Sequence, residues 1–122
     1  MNKTKPRRKL APVSEDMKEW SALLGTELSS WPSVTSRRMF GMMAFYRRKE
    51  IFAVLPHTRA FGESQSIGFK VEPKTPQIRK RLASDPRIVL REDAKWISFE
   101  IRNGNDLKNA LKWLDLAYRG CL

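Results

Sequence analysis

Positive charge is the chemistry-bearing feature of this sequence, and it comes in clusters. Lys3, Lys5, Arg7, Arg8 and Lys9 crowd the first residues, and Arg37-Arg38, Arg47-Arg48-Lys49 and Arg79-Lys80-Arg81 follow. The formal net charge is +11, of which residues 1–13 supply five with no acid among them. Guanidinium and ammonium groups at this density attract polyanions, whether nucleic acid, an anionic membrane surface or an acidic protein, and the charge alone does not choose among them. If the clusters share one face they make a phosphate-binding surface; if scattered, they only keep the chain in solution. Trp31, Trp96 and Trp113 could stack on bases, although core or groove packing is the simpler reading of each.

Catalysis needs a nucleophile, a base, paired carboxylates or a metal within mutual reach. His57 is the single histidine, in a polar loop after Pro56, with Ser64 and Ser66 across that loop. It could act there as a general base, but no third group orients it, so it reads as a solvated loop histidine. Cys121, the single cysteine, can form no internal disulfide and belongs to no Cys/His set of zinc spacing. Glu92-Asp93 read as solvated charge, and no phosphate-cradling glycine loop is present. These residues imply no enzyme, no cofactor and no metal site. One lone cysteine fits a reducing cytoplasm.

The elements that must position the cations follow from the apolar pattern. A chain of 122 residues, 41% of them hydrophobic, can bury one core without disulfide staples. No apolar run is long enough to cross a membrane, and the basic start lacks the apolar stretch of a secretory signal. Residues 1–13 have no apolar periodicity and predict a basic mobile tail, in which KPRRK could contact nucleic acid, act as a nuclear import signal or simply aid solubility.

Ser14 is a good N-cap, with Glu15 and Asp16 in the first turn. Met17, Trp20, Leu23, Leu24 and Leu28 recur at helical spacing up to about Ser29, and Pro32 disfavours helix at Trp31. Apolar runs then occupy Met39–Tyr46, Ile51–Pro56 and Ser66–Val71. Arg47-Arg48-Lys49 is too charged to bury, so the chain must reverse there. The runs predict three antiparallel strands, apolar on both faces, with Met39, Met42 and Met43 as core filler. Gly41 marks a bulge or the close approach of another backbone.

Thr75-Pro76 starts a short helix to about Ala83, anchored by Ile78 and Leu82 and exposing Arg79, Lys80 and Arg81. Ile88–Leu90 is a short strand candidate. Lys95–Arg102 alternates, with Ile97, Phe99 and Ile101 on its apolar face. Asn105 can cap a final helix whose stripe is Leu107, Ala110, Leu111, Leu114, Ala117 and Tyr118, ended by Gly120. The order α-β-β-β-α-β-β-α predicts a single two-layer α+β domain over residues 14–122, built on an antiparallel sheet of about five strands.

RMFG at Arg38–Gly41, the pair Phe45-Tyr46, IFAVLP at Ile51–Pro56 and GFKV at Gly68–Val71 resemble the N-terminal domain of the TfoX/Sxy family. Met42 stands where that family often has a second glycine. The second half, Trp96–Tyr118, is similar to YjbR-like proteins and to a small uncharacterised domain labelled "luciferase family". The resemblance implies an α+β fold and a link to regulation of DNA-uptake competence; it carries over no catalytic residue. In full-length members a second, helical domain follows, for which a chain ending at Leu122 has no room.

The function expected is therefore a non-catalytic binding module that contacts nucleic acid or a partner protein through its basic surface. A small-ligand or enzymatic pocket near His57 and Arg59 is the alternative. A homodimeric scaffold, paired through an exposed sheet edge, is a third reading.

Overall fold

The Ser14 hydroxyl accepts a hydrogen bond from the Met17 amide at 3.1 Å, and helix α1 runs Glu15–Ser29 as its capping predicts. Met17, Ser21, Leu24 and Leu28 form its buried stripe. Leu23, expected on that stripe, is 58% exposed, because the four buried positions already fill the inward arc. The computed structural model describes residues 13–60, 65–71, 75–89 and 95–120. The tail cations Lys3 to Lys9 lie outside the described residues, as do Ser64, Glu92, Asp93 and Cys121.

The chain continues through β1 Val34–Met39, β2 Met42–Arg47, β3 Glu50–Pro56 and β4 Ser66–Lys70. Helix α2 Pro76–Ser84, β5 Ile88–Val89, β6 Trp96–Glu100 and helix α3 Asp106–Arg119 complete it. The strands make one antiparallel sheet in the order β1-β2-β3-β4-β6-β5. This is the expected α+β architecture with six strands rather than about five.

The extra strand arises because the run Met39–Tyr46 is not one strand. Phe40 and Gly41 have φ of 54° and 80°, so the chain turns between Met39 and Met42, which face each other across a tight hairpin. Two consecutive positive φ values are the type I′ geometry that matches strand twist. Met39 therefore shares its face with Met42 and not with Met43, contrary to the simple alternation. Gly41 is a turn glycine rather than a bulge, but the close approach expected there is real. Its carbonyl oxygen accepts from the amides of His57, Thr58 and Arg59 at 3.2, 2.8 and 2.9 Å.

All three helices pack on one face of the sheet. There Phe52, Phe69, Phe99, Ile67, Ile97 and Ile101 meet Leu24 and Leu28 of α1, Leu82 of α2 and Leu114 of α3. Each such side chain contributes about 1.5–3 kcal/mol on leaving water. The other face holds a smaller cluster of Met42, Ala44 and Val54, flanked by Met39, Tyr46, Ile51 and Trp96, with no helical residue in it.

The later caps part from expectation in one place. Thr75 caps α2 as read, accepting from the Ile78 amide at 3.2 Å. Asn105 makes no side-chain cap for α3. The buried Asp106 anchors that end instead, its carboxylate accepting from the Arg102 amide at 2.8 Å and from Arg87 Nη1 at 2.9 Å. Gly120 follows α3 with φ −73°, so this glycine is not in the left-handed conformation that a terminating glycine commonly adopts.

Candidate functional site

Alternation along β1 splits the Arg37-Arg38 pair. Arg37 faces Ala44, on the face without helices, whereas Arg38 faces Met43, on the helix side. The hairpin between β2 and β3 lies beyond the start of β1, since Val34 pairs with Arg47 and the Arg48 amide donates to Ser33 O at 2.9 Å. Arg48 sits at the tip with φ 59°. Thr35, two residues before Arg37, pairs with Tyr46 on the same face. The outcome is a cleft of about 310 Å³ lined by Thr35, Ser36, Arg37, Tyr46, Arg48 and Lys49. Arg37, Arg48 and Lys49 are exposed, and no carboxylate is among the lining residues.

The remaining predicted cations among the described residues are elsewhere. Arg47 was expected to be exposed at the hairpin tip and is half-buried instead. It pairs across the sheet with Glu50 on the helix side, its Nη1 donates to Tyr118 O at 3.0 Å, and its guanidinium lies 4.3 Å from the Tyr118 ring centroid. The carbonyl-rich C-terminus of α3 and an aromatic face both favour a cation there, so Arg47 is recruited to the fold. Arg79, Lys80 and Arg81 are exposed on α2, which leads directly into β5, the edge strand opposite β1. Arg81 borders a separate cleft of about 340 Å³ with Arg87, Lys112 and Trp113, and there Asp85 adds negative charge. The clusters thus do not merge: three cations converge at one sheet edge, and the α2 group stands apart.

The tryptophans serve packing. Trp31 stacks on Phe52 with centroids 6.5 Å apart and meets Tyr118 edge-on at 5.0 Å. Trp113 is 6% exposed, stacks on Phe69 and donates to Asp85 at 3.1 Å. Trp96 flanks the smaller cluster.

His57 is exposed, while Ser66 is 1% exposed and pairs with Glu100 in the sheet; no hydrogen bond joins the two. Arg59 folds over the β1–β2 turn, its Nη1 donating to Thr58 O at 3.0 Å. His57 does border a groove of about 720 Å³ between α1 and strands β1 to β3, with Arg59 not among its lining. Among the described residues no group of His, Cys, Asp and Glu could hold a metal ion, and no helix is long and apolar enough to cross a membrane.

Sequence reasoning missed Thr35, Ser36 and Tyr46 as neighbours of the cations. The signal was the two-residue repeat Thr35, Arg37, Met39, which acquires meaning only once Val34–Met39 is known to be a strand. Comparison with family models, with curated proteins and with solved structures gives no match.

Proposed function

We propose that the protein is a non-catalytic module that binds nucleic acid through the β1–β2 edge, with Arg37, Arg48 and Lys49 as the phosphate contacts. The observation that carries this reading is the cleft in which these three cations meet the Thr35 hydroxyl and the Tyr46 ring and no carboxylate. An arginine donates to two phosphate oxygens at once, and a lysine adds a compact charge. The Thr35 hydroxyl, on the same face as Arg37, can donate to the same oxygens. Tyr46, on the wall of the cleft, offers a ring on which an unpaired base can stack. Binding then draws its energy from counterion release, to which the net charge of +11 and the tail cations Lys3, Lys5, Arg7, Arg8 and Lys9 add. The resemblance of Arg38–Val71 to the TfoX/Sxy N-terminal domain points the same way, toward regulation rather than catalysis.

Fluorescence anisotropy with short labelled single- and double-stranded DNA tests this on the full chain. Replacing Arg37, Arg48 and Lys49 together by Glu should weaken binding at least roughly tenfold at about 50 mM salt. The same replacement of Arg79, Lys80 and Arg81 should cost less, because it changes only the general field. A native chain that leaves both DNAs unbound at low salt contradicts the reading, and so do equal losses from the two triple variants.

A further inference from the structure

An open groove lies between α1 and strands β1 to β3. Its floor is apolar: Met43 of β2 is half-buried there, and Phe45 of β2 and Leu55 of β3 are buried. Above the floor lies Gly25, in the interior of α1. Glycine there lowers helix stability relative to alanine. Packing does not demand it: a Cβ on Gly25 would stand 3.5 Å from Phe45 Cζ and 3.9 Å from Leu55 Cδ1, ordinary contact distances. What the glycine does preserve is a stretch of the α1 wall of the groove that carries no side chain.

One end of the groove is polar and cationic. The buried Ser21 hydroxyl donates to Pro56 O at 2.5 Å and so fixes that turn of α1 against the end of β3. Lys18, three residues before Ser21, and His57, the residue after Pro56, both border the groove at this end. No carboxylate is among the lining residues. Lys18 does contact Glu15 at 3.3 Å, but that pair is on the surface, with side chains 49% and 91% exposed. Such pairs exchange partners readily.

An apolar floor, a volume of about 720 Å³ and a single cationic end match a small molecule and not a polymer. We infer that this groove binds an apolar small molecule ending in one anionic group, such as a carboxylate or sulfonate. Its rings or chain lie along Met43, Ala22 and Gly25, and the anion meets Lys18 and His57. The inference is independent of the DNA-binding reading, since the two sites use different cations.

The test uses 8-anilinonaphthalene-1-sulfonate, an aromatic sulfonate, against N-phenyl-1-naphthylamine, a close relative without charge. The full chain should bind the sulfonate saturably at one site. Thr26→Leu and Ala22→Leu fill the groove from exposed helix positions, and each should weaken both probes roughly tenfold while the thermal transition is retained. Lys18→Gln with His57→Gln should weaken the sulfonate about three- to tenfold and leave the neutral probe unchanged. The triple Glu variant at Arg37, Arg48 and Lys49 should bind both probes as the native chain does. The inference is overturned if the folded native chain gives no saturable signal or if neither groove-filling variant reduces binding. It is equally overturned if the paired Gln variant affects both probes alike, or if the triple Glu variant abolishes sulfonate binding.

Discussion

At φ 80°, Gly41 occupies backbone space that an L-residue reaches only with strain, and its carbonyl oxygen accepts from three successive amides. A Cβ there would also stand 2.8 Å from Arg59 Cγ and 2.9 Å from Thr58 Oγ1. Gly41→Ala should therefore destabilise the fold by about 2 kcal/mol or more, read as a lowered midpoint in urea, because dihedral strain and crowding act together. A midpoint equal to the native one would show that the 57–59 loop yields freely. The sequence made part of this legible. An isolated glycine in an apolar run signalled a special backbone, but not that Phe40 would share the turn, since a bulky residue at positive φ is uncommon. Phe40 is 79% exposed there, free of any packing that would have announced it.

Among the elements, the helices were legible and β1 was not. Each helix carries an apolar stripe at helical spacing. The sequence of β1, VTSRRM, has exposed residues at every interior position and so no apolar face to detect. It is held by its ladder to β2, and as an edge strand it keeps Arg37 and Arg38 in water. Like charges along an edge also oppose pairing with a second copy of the chain. Arg47 shows the converse: a charged triplet reads as solvent-facing, yet the end of α3 makes one of its members structural. Arg47→Ala should cost about 1–2 kcal/mol in chemical denaturation while changing DNA affinity little, which separates it from its neighbours Arg48 and Lys49. A loss of affinity as large as that of the triple Glu variant would return Arg47 to the binding surface. The other end of α3 has a parallel device. Asp106, with a side chain 7% exposed, holds both the Arg102 amide and the Arg87 guanidinium. Asp106→Ala should destabilise by about 2–4 kcal/mol by calorimetry, since it strands a half-buried arginine as well as an amide. A thermal midpoint unchanged from the native one would mean that Asp85 alone suffices for Arg87.

At the scale of the whole molecule, the sheet separates two kinds of surface. The helices sit on one face, and the cationic cleft opens at the far edge of the other, away from the α2 cluster. The net positive charge was plain from composition, but its grouping was not. Which arginines meet depends on the Val34-to-Arg47 register of one hairpin, a relation between residues that no local pattern encodes. The proposed binding mode requires Arg37, Arg48 and Lys49 to contact phosphates directly. The most direct measurement is the slope of log affinity against log salt for DNA binding, compared between the native chain and the variant with Ala at all three positions. Each lost phosphate contact removes roughly 0.7–0.9 from the slope, so the account predicts a fall of about 2–3. A slope that stays at the native value would contradict it, because the three cations would then contact no phosphate.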